Sequence, residues 1–109
     1  MKAEFTGDEL VLAIIALVRR INPRMLKSEA DGFSVDFSLM ANRATRTPDE
    51  QLLVRLREAS ETQANALDFT SSEAELLASS LGLLEVLQAW PADVLKLSRE
   101  MRARLVPPT

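Results

Sequence analysis

The chain has 109 residues with a net charge of −3, and hydrophobic residues make up 47% of it. This length and composition predict a single compact domain over residues 1–109 and exclude a chain disordered throughout, because enough apolar surface is present to form a core. The chain contains no Cys, His or Tyr, which excludes disulfides, metal sites built on thiolates or imidazoles, and catalysis by Cys or His.

The first predicted elements are a short strand and a buried helix. Residues 2–5 alternate weakly, as in a strand, and Thr6 is followed three residues later by Glu9. A Thr and a Glu at this spacing form a capping box, in which both side chains accept hydrogen bonds from N–H groups at a helix start. The helix is predicted over residues 7–21, because a proline follows shortly after. Residues 10–18 are apolar on every face, which predicts a helix buried all round.

A β-hairpin is predicted next. Residues 33–39 read FSVDFSL and alternate strictly between apolar and polar side chains, which is the clearest strand signal in the chain. Asp31 and Gly32 before it are typical of a tight turn, so residues 24–28 are the expected partner strand. The apolar side of this sheet is expected to face the helices.

Two further capping boxes mark helix starts in the second half of the chain. Thr47 with Glu50 and Thr70 with Glu73 repeat the spacing seen at the first helix. The remaining elements are predicted as a helix over residues 48–64, a short strand over 66–69, a helix over 71–89, and a last helix from 91 that closes at prolines 107 and 108. The expected fold class is therefore mainly helical α+β, with four helices and a small sheet built on a β-hairpin.

The first and third helices are both apolar around most of their circumference. Four helices and one small sheet can enclose about one element completely, so we expect a second copy of the chain to cover the rest, with a different protein as the second option. The alternative is a monomer in which the sheet covers the first helix, and the second and fourth helices cover the third. The candidate interface residues are Ala78, Gly82, Val86, Trp90, Val94 and Met101.

Three of these candidates also have an interpretation inside the monomer. Ala74, Ala78 and Gly82 recur every four residues and form a strip of small side chains, where we expect the first helix to approach closely. Such a contact would explain a glycine in a helix interior, which costs about 1 kcal/mol relative to alanine. Trp90 lies at the corner between the last two helices, where it can fill a core position or anchor an interface.

Basic residues cluster in two places. Four of them, Arg19, Arg20, Arg24 and Lys27, are the candidate anion-binding residues, and a second set on the last helix comprises Lys96, Arg99, Arg102 and Arg104. Such clusters can bind phosphates, but basic residues near a helix C-terminus also complement its dipole. The net negative charge argues against nucleic acid as the main partner.

The chain shows no motif for a metal, a cofactor or an enzymatic reaction. Its three glycines form no phosphate-binding loop, and its acidic residues have no metal-ligand spacing. We therefore expect a non-enzymatic protein-interaction module without metal or cofactor, acting as an adaptor, small chaperone or regulator. The alternative is a nucleic-acid-associated regulator that uses the two basic clusters. Since the longest apolar run has nine residues and acidic residues precede it, no membrane span and a cytoplasmic location are expected.

Overall fold

The computed structural model of the protein describes residues 2–29, 32–36, 47–63, 66–87 and 89–106. The fold is mainly helical α+β, as predicted. In chain order the elements are β1 (Lys2–Glu4), α1 (Gly7–Ile21), a 3-10 turn (Pro23–Met25), β2 (Leu26–Glu29), β3 (Gly32–Val35), α2 (Pro48–Thr62), β4 (Ala66–Asp68), α3 (Ser71–Leu87) and α4 (Ala92–Leu105).

The three predicted capping boxes are present. Before α1, the Thr6 N–H donates to Glu9 Oε1 at 2.9 Å and the Glu9 N–H donates to Thr6 Oγ1 at 3.2 Å. The same reciprocal pair opens α2 and α3. Gln63 ends α2 in the left-handed conformation, with φ of 57°, a common way for a helix to stop. The boxes therefore determine where three helices begin.

The short strands predicted before the first and third helices pair with each other. β1 and β4 run antiparallel, with Ala3 opposite Leu67. The aromatic residues that follow them, Phe5 and Phe69, are both buried, and their ring centroids lie 6.0 Å apart. This pairing brings the N-terminal ends of α1 and α3 together, which local sequence patterns did not predict.

The predicted hairpin is present, but its two strands have different bounds from those predicted. β2 starts at Leu26, because the preceding three residues form a 3-10 turn started by the Asn22 side chain, which accepts the Arg24 N–H at 3.1 Å. β3 ends at Val35, and the Asp36 N–H donates to the Met25 carbonyl at 2.8 Å. The rest of the strand predicted over 33–39 lies outside the described residues. In the part of the chain that the structure describes, the hairpin and the β1/β4 pair form separate two-stranded sheets.

The core is built around α1. Leu10 and residues 12–18 are buried, as predicted, but Val11, which lies inside the segment predicted to be buried all round, is 50% exposed. Both α2 and α3 pack against α1, whereas α4 packs mainly against α3. The arrangement covers α1 almost completely and leaves α3 covered on only part of its circumference.

Candidate functional site

One side of α3 is apolar and exposed near its C-terminal end. Leu77, Leu81 and Leu84 point into the core, whereas the exposed fractions of the next apolar side chains are 43% for Leu83, 83% for Val86 and 50% for Leu87. We call these three residues the α3 surface. A contiguous exposed apolar surface is uncommon on monomeric proteins and often marks an interaction site.

The α3 contact with α4 includes a polar cluster centred on Glu85. Its carboxylate accepts hydrogen bonds from the Ser98 hydroxyl at 2.8 Å and from Arg102 Nη2 at 3.0 Å. Arg102 Nε is also 2.8 Å from this carboxylate, as an ion pair without hydrogen-bond geometry, and Arg99 Nε lies 3.7 Å away. Ser98 is buried, so Glu85 satisfies a polar group that would otherwise be costly at this contact.

Gly82 also faces α4. A Cβ at this position would lie 3.7 Å from Arg102 Nη1 and 4.0 Å from Arg102 Cδ, which are ordinary van der Waals distances. The prediction that the first helix approaches closely at Gly82 is therefore wrong in two respects. The side chain nearest to Gly82 comes from α4, and the space there would accept a methyl group.

A second apolar feature lies between α1 and the first half of α4. It is a groove of about 250 Å³, which we call the α1/α4 groove. Its lining consists of Asp8, Val11, Leu12, Ile15, Trp90, Asp93, Val94 and Leu97. Trp90 is partly buried, and its indole Nε1–H donates to the Leu84 carbonyl at 3.2 Å. The α1 side of this groove was not predictable from the sequence, because a helix that is apolar all round gives no sign of which residue stays exposed.

The six predicted interface residues do not form one surface. Val86 belongs to the α3 surface, whereas Trp90 and Val94 line the α1/α4 groove. Ala78 is partly buried against the core, and Gly82 lies beside Arg102. Met101 is completely buried within the chain, which removes it from the residues that a partner can reach. Its helical spacing matched an interface because the same spacing also faces a core.

The four predicted anion-binding residues are partly engaged with acidic and polar groups. Arg20 Nε lies 3.5 Å from Asp49 Oδ2, and Arg20 Nη1 donates to Ser79 Oγ at 3.0 Å. Lys27 Nζ lies 3.3 Å from Asp36 Oδ2. The other two members, residues 19 and 24, have no ion pair in the described part of the chain. Among the described residues, two of the four cations therefore have an acidic partner and two do not.

The basic set on the last helix is also largely paired. Arg99 and Arg102 contact Glu85, as described above. Arg104 Nη1 donates to the Glu4 carbonyl at 3.2 Å and lies 2.7 Å from Glu9 Oε2, an ion pair without hydrogen-bond alignment. Glu9 is only 2% exposed, so Arg104 neutralises a buried carboxylate instead of presenting a free charge to solvent.

Arg55 joins α2 to the start of α3. Its guanidinium lies 2.5 Å from Glu73 Oε2, donates to the Asp68 carbonyl, and is 5.8 Å from the centre of the Phe69 ring. Partial burial by itself would raise the pKa of Glu73. The hydrogen bond from the Thr70 N–H and the contacts with Arg55 outweigh that effect and hold the pKa below its usual value of 4.5.

Within the described ranges, no three acidic side chains are placed to hold a metal ion. No helix there is both long enough and apolar enough to cross a bilayer. No family model, no curated protein and no solved structure matches this chain.

Proposed function

We propose that the protein is a non-enzymatic protein-interaction module that forms a homodimer through the α3 surface. The observation that carries the proposal is the exposure of Leu83, Val86 and Leu87 on consecutive turns of one helix. Burying this surface against a partner would remove apolar side chains from water at a gain of about 25 cal/mol per Å².

A second copy suits this surface because the surface lies on a single helix. Two copies of α3 can cross antiparallel about a two-fold axis near Val86, so that the α3 surface of one copy packs against the same surface of the other. Glu75, an exposed acid of α3, lies about 12 Å along the helix from Leu83, given a rise of about 1.5 Å per residue. In such a pair, the two Glu75 side chains lie at opposite ends, so they do not repel each other across the interface.

Sedimentation velocity over a range of protein concentrations tests the proposal. We expect a monomer–dimer equilibrium in the unmodified chain. Val86→Glu should shift it to monomer by about tenfold to a hundredfold in dissociation constant, since burying a valine is worth about 1.5 kcal/mol or more. The matched control is Val106→Glu, which changes another exposed valine, 48% exposed and beyond the end of α4.

Three outcomes of this experiment are distinguishable. Loss of the dimer in Val86→Glu with the control unchanged supports association through α3. A chain that stays monomeric at every concentration would refute the homodimer. An equal increase in the dimer dissociation constant in both variants would exclude the α3 surface as the contact. Circular dichroism checks that both variants keep their helices, as expected for substitutions at exposed positions.

The nucleic-acid alternative receives less support from the contacts. Arg20, Lys27, Arg99, Arg102 and Arg104 each lie within ion-pair distance of an acidic side chain. Phosphates would have to compete with these carboxylates. Phosphate binding supplies most of the affinity of nucleic-acid-binding proteins, so we favour the protein-interaction module.

A further inference from the structure

The α1/α4 groove lies apart from the α3 surface and has a different chemistry. Its floor and wall are apolar, and Val11 on its edge is 50% exposed. Two carboxylates, Asp8 and Asp93, complete the lining, which contains no basic side chain. We propose that this groove binds an amphipathic segment of a partner protein, in which basic residues flank the apolar side chain that enters the groove.

The apolar part of the groove is suited to receive a side chain from another protein. Trp90, Val94 and Leu97 are only partly buried, so contact with a partner would remove more of their surface from water. The hydrogen bond from Trp90 to the Leu84 carbonyl holds the indole in place before any partner arrives. A rigid aromatic side chain in a concave site is a common centre of binding energy.

The size of the groove favours a protein segment over a small molecule. Its volume of about 250 Å³ is below the range of about 300–1,000 Å³ typical of sites that enclose a drug-sized ligand. It is sufficient for one large apolar side chain. Recognition of a helix by a groove uses such side chains at helical spacing, with the rest of the segment lying over the rim.

The charge at the rim determines which segment fits. In the described part of the chain, neither Asp8 nor Asp93 forms an ion pair. Both lie in the first turn of a helix, where the dipole supplies about half of a positive charge. Because this partial positive charge is smaller than the full negative charge of a carboxylate, the electrostatic potential over the groove stays negative. It favours lysine or arginine in a partner and disfavours aspartate or glutamate.

Fluorescence of Trp90 provides a direct test, because it is the only tryptophan in the chain. The probe is a synthetic amphipathic peptide of leucine and lysine with apolar residues at helical spacing. Two control peptides keep the length: one replaces every lysine by glutamate, and the other scrambles the order. We expect saturable change in Trp90 emission with the leucine–lysine peptide only.

Variants link the signal to the groove. Asp8→Asn together with Asp93→Asn should weaken peptide binding about tenfold, while Glu58→Gln with Glu100→Gln, which removes two exposed acids outside the lining, should leave it unchanged. Val11→Lys removes an apolar contact at the groove edge and adds a charge that repels the peptide, so it should abolish binding, whereas Val106→Lys should not. Circular dichroism verifies that each variant keeps its helices.

Three results would overturn the proposal. One is the absence of a saturable signal with the leucine–lysine peptide, and another is equal binding of the leucine–glutamate peptide. The third is a loss of self-association in Val11→Lys with the helices intact, which would mean that a second copy of the chain occupies the groove. Since Val86→Glu tests the α3 surface separately, failure of one proposal is distinguishable from failure of the other.

Discussion

Replacing Gly82 by alanine should stabilise the protein. A glycine inside a helix costs about 1 kcal/mol relative to alanine, because the unfolded chain loses more conformational freedom. The added Cβ would lie 3.7 Å from the nearest atom, Arg102 Nη1, so no clash offsets that gain. The expected increase in the free energy of unfolding is therefore about 0.5–1 kcal/mol.

Urea denaturation followed by far-UV circular dichroism measures this change. For a chain of this size, the gain corresponds to a rise in melting temperature of about 4 °C. It also moves the urea midpoint upwards by about 0.5 M at an unchanged slope. An unchanged slope matters, because a different one would mean that Gly82→Ala had altered the unfolded state or the cooperativity of unfolding.

A decrease in stability of about 1 kcal/mol or more would refute this reasoning. It would mean that a neighbour approaches Gly82 more closely than Arg102 does. Repeating the measurement at two protein concentrations identifies that neighbour. A loss that grows with concentration would place a partner helix against Gly82, whereas a loss independent of concentration would place α4 there.

Two other predictions concern charged contacts within the monomer. Because the pKa of Glu73 is lowered in the folded state, its ionised form adds stability above pH 4.5, and this stability is lost as the pH falls through the folded-state pKa. Glu73→Gln should therefore reduce the loss of stability on acidification. An equal effect of Glu75→Gln, which changes an exposed acid of the same helix, would contradict this assignment. Arg104→Met leaves the buried Glu9 carboxylate without its cation and should lower the free energy of unfolding, measured in urea, by about 2 kcal/mol. This is less than the usual cost of breaking a buried ion pair, because Arg104 is partly exposed. Lys96→Met should change stability by less than about 0.5 kcal/mol, and a similar value for Arg104→Met would show that the pair is not needed.

Helix starts were predictable because their signals are local. A Thr and a Glu three residues apart carry all the atoms of a capping box, so Thr6, Thr47 and Thr70 marked three boundaries without knowledge of the fold. The pairing of β1 with β4 was not predictable in this way. Its register depends on where α1 and α3 place their N-terminal ends, and each strand has only three residues.

The candidate surfaces were predictable only in part. The excess of apolar residues on the first and third helices indicated that some would stay exposed, and Val86 is one of them. Periodicity could not separate Val86 from Met101, since both lie at helical spacing in apolar stretches. The pairing of Arg104 with Glu9 was equally hidden, because the dipole of α4 already explains a basic residue at that position.

The β1/β4 pair and the Arg104 contacts together have a consequence for synthesis of the chain. Arg104 reaches Glu4, 100 residues earlier in sequence, and β4 must be made before β1 has a partner. Among the described helices, α1 has the most buried residues, and it is made before the helices that cover it. We expect folding of this domain to be all-or-none and to await the last helix, with the exposed α1 as the segment most prone to aggregation in the meantime.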